Sequence, residues 1–283
     1  MQQSPGAWRS AIQTVEAGTN RESNMEQFTT ISLERDGALA RLTLNRPSRR
    51  NGMNNLMVRE TRQALAAITG EDAVRVVLLT GAGDSFCPGA DLSAMTDAGE
   101  RASDVALGID DFQVAALLHG MPQLTVAAVN GACAGAGFGW AAACDIRVAR
   151  EGAMFNTAFL NVAVAGDMGL PWSLPRLVGA SKAREWSFFC EKFSADEARD
   201  AGLVARVWPA GTFHDEVEAM VRTLLARSPT ALRFMKAHYL AAEQLNLGSF
   251  LELETERHLR IASGPHAAEA FRAFMEKRPP VFD

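Results

Sequence analysis

Basic residues are in the minority in this 283-residue chain, where 28 Lys plus Arg stand against 33 Asp plus Glu and leave a formal charge of −5. Tracking the phosphates of a nucleic acid needs a net basic face, and this composition does not supply one, so nucleic acid is not an expected partner. Cysteine is scarce as well: Cys87, Cys133, Cys144 and Cys190 lie in apolar stretches without C-x-x-C spacing. That pattern excludes a disulfide frame and a zinc site and predicts reduced core residues in a cytoplasmic protein. Tyr239 is the single tyrosine, and it falls in a helical stretch, so a tyrosine acid is not expected. Walker A, G-x-S-x-G and H-E-x-x-H patterns are all missing, which removes the usual forms of phosphate-loop, nucleophilic-serine and zincin chemistry. One long uncharged run exists, from 112 to 144, but His119, Pro122, Gln123, Asn130 and five glycines interrupt it. A spanning helix would be broken there and would leave polar groups in lipid, so a buried strand followed by a Gly/Ala-rich helix is the better reading and no membrane is implied.

With 48% hydrophobic and 22% charged residues, a chain of this length buries about three quarters of its unfolded surface. Residues 1–25 are polar and lack the apolar core of a signal peptide, and they read as an N-terminal extension. Apolar runs at 28–33 and 39–44 flank the turn dipeptide Asp36-Gly37 and predict a hairpin. Helical spacing follows over 54–69, with Leu56, Leu65, Ala66 and Ile68 as its apolar members, Glu60 on its solvated side and Gly70 as its stop. Continuous apolar runs at 74–80, 124–129 and 145–149 predict strands covered on both faces, the pattern of a parallel sheet with helical crossovers. Asp145 reads as structural, and a helix is expected to begin near Asp167. After Pro209 helical patterns dominate, at 213–226, 230–245, 250–261 and 266–277. The expected organisation is an α/β core over 26–209 and a helical region over 210–283.

Two loops rich in small residues leave buried strands: Gly81-Ala-Gly-Asp-Ser-Phe-Cys-Pro-Gly-Ala-Asp91 and Asn130-Gly-Ala-Cys-Ala-Gly-Ala-Gly137. Small residues let a ligand approach the backbone, and free amides at a helix start carry partial positive charge. Two such amides aimed at one spot would make an oxyanion hole. The competing reading is that the glycines serve turns and close packing. Gly137-Phe-Gly139-Trp-Ala-Ala142 loosely fits a dinucleotide fingerprint, yet the acidic partner expected about twenty residues on is replaced by the apolar run 155–159.

Leu44-Asn-Arg-Pro47 with Asn51, Leu78-Leu-Thr-Gly-Ala-Gly83 with Phe86-Cys-Pro-Gly-Ala-Asp-Leu92, Ala127-Ala-Val-Asn-Gly131 with Cys144-Asp-Ile146, Leu174-Pro-Arg-Leu-Val-Gly179 and Phe274-Met-Glu-Lys-Arg278 follow one another in order. In these motifs the chain, from about 28 to 283, resembles the crotonase or enoyl-CoA hydratase/isomerase superfamily. The resemblance implies an α/β spiral of ββα repeats with a C-terminal helical region used in trimerisation, as a homotrimer or a dimer of trimers. It implies an acyl-CoA thioester substrate and no separate cofactor, since CoA arrives within the substrate, and no metal. Carried over by residue, the enolate-stabilising amides are those of Ala90 and Ala136. Asp91, Leu92 and Ser93 continue the loop along which CoA lies, Arg49 and Arg50 become phosphate partners, and Lys277 reaches CoA from a neighbouring subunit. Solvated surface charge is the competing reading for the arginines and the lysine.

The departures from the family pattern shape the expected chemistry. The two glutamates with which hydratases of the family activate and deliver water fall at Gly139 and Phe159, neither of which transfers protons. Asp167, in Val164-Ala-Gly-Asp-Met-Gly-Leu170, stands where some isomerase-type members carry a catalytic aspartate. The expectation is an isomerase-type proton transfer by Asp167. The alternatives are a hydratase with atypical acid/base residues and a non-catalytic acyl-CoA binder. For Asp167 the competing reading is an ordinary helix N-cap. Trp140 and Trp172 flank the expected pocket in sequence and are candidates for its walls, with core packing as the commoner fate of Trp.

Overall fold

The computed structural model describes residues 28–92 and 106–282, so the 1–25 extension and Ser93 lie outside the described residues. Strands β1 (Ile31–Asp36) and β2 (Leu39–Leu44) form the expected antiparallel hairpin, turning at Gly37 with φ +56°, a value that Gly adopts without strain. Helix α1 (Asn55–Thr69) follows, capped by Asn54, whose side chain accepts from Met57 N at 3.0 Å. Its inner face is Met57, Thr61, Ala64, Leu65 and Ile68. Leu56 and Ala66, which spacing put on that face, are exposed instead. The stripe that packs starts one residue later, with Met57, which is fully buried in the core.

From there the chain deals its strands to two sheets in turn. Strands β3 (Val76–Gly81), β5 (Leu124–Val129), β7 (Ile146–Arg150) and β10 (Arg206–Trp208) join the hairpin in a six-stranded sheet of order β1-β2-β3-β5-β7-β10. The strands β4 (Ser85–Cys87), β6 (Ala132–Ala134), β8 (Met154–Asn156) and β9 (Phe193–Ser194) make a smaller sheet in that order. Helices α2 (Val114–Gly120), α3 (Gly135–Ala143) and α4 (Leu170–Val178) close successive repeats, and α5 (Ala180–Phe189) and α6 (Ala195–Asp200) complete the body. This is the spiral of ββα units that the resemblance implies.

Side chains on the large sheet alternate between two cores. Val77, Leu79, Ala127, Val129 and Ala149 turn toward α1 and α3. Val76, Leu78, Val126, Ala128 and Val148 turn toward Phe213, Val217 and Val221, which belong to helix α7 (Phe213–Leu225). Period-two alternation with both faces apolar explains the unbroken hydrophobic runs. It also means that the first helix beyond residue 209 covers the sheet of the α/β core. Helices α8 (Pro229–Ala242), α9 (Leu247–Ala262) and α10 (Pro265–Glu276) follow, and leave Tyr239, Leu247, Phe271 and Phe274 largely exposed. All four cysteines are free and buried. No described helix is long and apolar enough to cross a membrane.

Two buried charges fix elements to the body. Glu60 is buried, not solvated as its place in the helix pattern suggested, because it accepts from the main-chain N–H groups of Thr29 and Thr30, each at 2.8 Å. Lys236 carries α8: its Nζ stands 2.8 Å from Asp145 Oδ2 and donates to Gln123 O at 2.9 Å. Asp145 in turn accepts from Thr125 N at 2.7 Å. Lys236→Ala leaves Asp145 without its cation and takes a donor from the carbonyls of Leu118 and Gln123, and is expected to cost about 3 kcal/mol, read as a lowered urea midpoint with an unchanged slope.

Candidate active site

The site begins with a pairing of two three-residue strands. β4 and β6 run parallel, with Ser85 opposite Ala132 and Cys87 opposite Cys133. Parallel neighbours end on the same edge, about 4.8 Å apart, so the turns that leave them start side by side. Pro88-Gly89-Ala90 leaves β4, and Gly135-Ala136 leaves β6 and opens α3. Both turns need Gly, with φ +101° at Gly89 and +50° at Gly135. A Cβ on Gly89 would stand 3.1 Å from Ala134 O and 3.7 Å from Ala136 N, and one on Gly135 would be 3.7 Å from Gly89 Cα. The peptide joining Gly89 to Ala90 therefore lies beside the amide of Ala136.

What each amide does follows from local hydrogen bonding. Ala90 makes a parallel bridge with Met53, in which Met53 N donates to Gly89 O and Asp91 N donates to Met53 O, both at 2.8 Å. Such a bridge uses the groups on either side of the central residue, and Ala90's own N–H faces the other way. Ala136 is the second residue of α3, whose N-cap Ala134 offers no side-chain acceptor, so its N–H is one of the orphan donors of a helix start. Among the described residues neither amide has an acceptor.

Asp167 lies in the loop ahead of α4. That helix starts at Leu170, with Gly169 (φ +72°) as its N-cap, and Asp167 meets it through its main-chain oxygen, which accepts from Leu170 N at 3.1 Å. The side chain caps nothing. Its Oδ1 is buried without a partner among the described residues, and burial pushes the carboxyl up from its ordinary 3.8, because the ionised form loses solvation without gaining a donor.

A cavity of about 390 Å³ adjoins this loop. One end is Phe159, whose ring edge comes within 3.9 Å of a Cβ placed on Gly135. The cavity passes Ala165 and Leu170, which bracket Asp167 in sequence, and reaches Ser187 and Phe188 of α5. A second cavity, of about 430 Å³, lies on the other face of α4 with His119, Trp172, Lys236 and Glu243 in its wall. Neither cavity is lined by the amide-bearing turns themselves, but the smaller one includes Phe159, which packs against the Gly135 turn, and residues on both sides of Asp167. Position 139 is sealed: a Cβ on Gly139 would stand 2.7 Å from Met168 Cβ and 2.8 Å from Met168 O.

The remaining predicted residues fall on two sides. Arg49, at the end of a 3₁₀ turn (Pro47–Arg49), and Arg50 are exposed on the segment that precedes α1, and Leu92 is half exposed beyond Ala90. Asp91 turns inward, its carboxylate 2.9 Å from Arg46 Nη1. Lys277 is exposed at the C-terminus of α10. Trp140 is fully buried within α3, in the core and not on a pocket wall, and Trp172 lines the larger cavity, away from the turns. Sequence reasoning passed over Met168, which nothing in the local pattern marks, and the partner of Arg46, although Arg46 stands in one of the motifs. Among the described residues no three His, Cys, Asp or Glu side chains gather at one place.

A two-sheet spiral whose adjoining turns hold out two main-chain N–H groups without acceptors among the described residues is an α/β scaffold with a candidate site for a carbonyl oxygen. The family model of enoyl-CoA hydratase/isomerase matches residues 34–283, and the chain belongs to that family, within the crotonase superfamily. It is an acyl-CoA-processing family. A protein of Rhodobacter capsulatus named "Probable enoyl-CoA hydratase" is 34% identical over 90% of this chain and 98% of its own. The 1,2-epoxyphenylacetyl-CoA isomerase of Escherichia coli K12 is 32% identical over 85% of this chain and 93% of its own. A crystal structure of enoyl-CoA hydratase from Bacillus anthracis superposes with a TM-score of 0.81 at 28% identity, over 90% of this chain and 99% of that one.

The closure at position 139 is testable without any substrate. Gly139→Ala is expected to destabilise by about 1–3 kcal/mol through overpacking against Met168. Gly211→Ala, where nothing lies within 4 Å of the added carbon, should stay within about 0.5 kcal/mol of the parent. Urea unfolding of the two variants beside the parent reads the difference.

Proposed function

We propose that this protein binds an acyl-CoA thioester, holds the thioester oxygen between the N–H groups of Ala90 and Ala136, and moves a proton between carbons of the acyl group with Asp167. The Asp167 carboxylate takes a proton from an acyl carbon, the C–H electron pair forms a carbon–carbon double bond toward the carbonyl carbon, and the carbonyl π pair moves onto the oxygen, which becomes an enolate oxygen. The carboxylic acid, exchanging its proton with solvent while the enolate lasts, then gives a proton to another carbon of the conjugated system while the carbonyl re-forms. Fixed amide dipoles suit this step because charge grows on the oxygen during it, and one such donor is worth about 3–4 kcal/mol of barrier. One proton leaves the acyl group and one returns to it, so the reaction as proposed consumes no cofactor and needs no metal.

The observation that carries the reading is the partnerless buried oxygen of Asp167, in a loop whose flanking residues Ala165 and Leu170 line the apolar cavity bounded by Phe159. A desolvated carboxyl is a stronger base than one in water, nearer the pKa that proton abstraction at neutral pH needs. The positions of the hydratase glutamates add to it: Gly139 is closed by Met168 and Phe159 is an apolar ring, so neither activates water. Exposed Arg49 and Arg50 are proposed for the phosphates of CoA, Leu92 and Ser93 for its arm, and Lys277 for CoA of a neighbouring subunit. The apolar surface left bare on α8–α10 favours assembly as a homotrimer or dimer of trimers, and the reduced buried cysteines favour a cytoplasmic protein. Hydration is the second reading, favoured by the name of the R. capsulatus relative.

A panel of enoyl- and aryl-CoA thioesters incubated with the protein in deuterated water separates the two. Deuterium entering at carbon without addition of water is the expected result, and clean hydration would overturn the isomerase assignment. Asp167→Asn should slow the exchange by at least about 100-fold; full exchange in that variant would remove Asp167 from the mechanism. The base works ionised, so kcat/KM should fall as pH drops through a carboxyl pKa lying above 3.8, an acid limb that burial has moved up toward neutrality.

A further inference from the structure

We propose that Arg46 is a positioning residue for the oxyanion hole: acting through Asp91, it holds the Ala90 amide in place without touching substrate. The inference rests on the reading of that amide as a carbonyl donor. Ala90 sits in an exposed turn, and its methyl group gives the turn little to anchor it. The main chain contributes a bridge one residue long, with the two hydrogen bonds to Met53, each worth about 1 kcal/mol net. Two such bonds across one residue form a hinge about which the turn can rock.

The ion pair closes that hinge. Arg46 Nη1 stands 2.9 Å from Asp91 Oδ2 and also donates to Gly52 O, so one guanidinium joins the strand-like segment on both sides of the Met53–Ala90 bridge. Its side chain is 10% exposed and that of Asp91 7%, where charge-assisted bonds are short and directional. Arg46 is itself anchored: its N–H donates to Asn51 Oδ1 at 2.9 Å, and Asn51 Nδ2 donates to Ser85 O at 2.7 Å, at the start of β4. The donor turn is thereby tied back to the strand from which it departs. Room is short as well, since a Cβ on Gly52 would come within 3.2 Å of Asp91 Cβ. As a device for stability alone the pair has little to recommend it, because apolar residues of like volume often hold a fold as well as a buried ion pair. What charges add is direction, applied here to the residue immediately after the donor.

Arg46→Lys keeps the charge and loses the planar fork, and Asp91→Asn keeps the shape of the acceptor and loses its charge. In both variants kcat should fall by about 10- to 100-fold, the penalty of a displaced catalytic group, with KM within about threefold of the parent. The direct readout is the infrared stretch of an enoyl-CoA thioester carrying ¹³C at the carbonyl: binding to the parent should lower its frequency, and the lowering should shrink in both variants while the far-ultraviolet circular dichroism stays that of the parent. The double variant should lose no more than the worse single one. Should Arg46→Lys fail to fold, Asp91→Asn decides alone. Folded variants with the parent's carbonyl shift and kcat would overturn the inference and leave the pair a structural tie. A parent protein that binds thioesters without any carbonyl shift would instead overturn the functional reading, and the inference with it.

Discussion

The parallel pairing of β4 with β6 is the constraint on which the rest of this molecule depends. Each strand is three residues long, so neither is stable alone, and they are held by what surrounds them. Asn130 bridges the turns that precede both, donating to Gly81 O at 2.8 Å and Gly83 O at 2.7 Å. Gly137 lets α3 lie directly on β4, since a Cβ there would fall 2.5 Å from Cys87 O. With strand, turn and helix locked together, two main-chain amides from segments 46 residues apart in sequence (136 − 90) are left beside each other and without internal acceptors. A pair of donors fixed by the fold needs little reorganisation when charge appears on a bound oxygen, and that is where a backbone site outperforms water.

A second constraint acts on the proposed acid/base group. Asp167 is unusual in that the fold gives it burial without a donor, a combination that costs stability whenever the group is ionised. Raising a folded-state carboxyl pKa makes the native state bind its proton more tightly than the unfolded chain does. This one group therefore subtracts from stability as pH rises from the unfolded value through the raised one. Such a cost is borne where chemistry needs it. The neighbouring Met168, with φ +47°, fills the space over Gly139. The same packing that raises the basicity of Asp167 keeps a second acid/base group away from it.

Much of this was legible in the sequence, for reasons that differ by element. The hairpin, α1 and strands β3, β5 and β7 of the large sheet were readable because both faces are buried or one face is cleanly apolar, so composition and period carry the signal, whereas its edge strand β10 was not. The helices α7 to α10 were readable by spacing, although not that α7 covers the large sheet. The three-residue strands β4, β6 and β8 were not: Ser85–Cys87 and Ala132–Ala134 are too short for a period and sit among glycines, so they read as loops. The motifs nonetheless marked the right places, since Asn51, Asn130 and Gly137 serve there as staples and contact points. What spacing could not supply was long-range closure. That Glu60 would turn inward to the backbone of Thr29 and Thr30, that Met168 would close position 139, and that Asp91 would face Arg46 are consequences of tertiary packing.

The most direct test of the account is a crystal structure of the protein with an acyl-CoA thioester bound, read at one atom. The account predicts the thioester oxygen within about 2.7–3.1 Å of both Ala90 N and Ala136 N, with an Asp167 carboxylate oxygen facing an acyl carbon. A thioester oxygen held by one of these amides or by neither would contradict it.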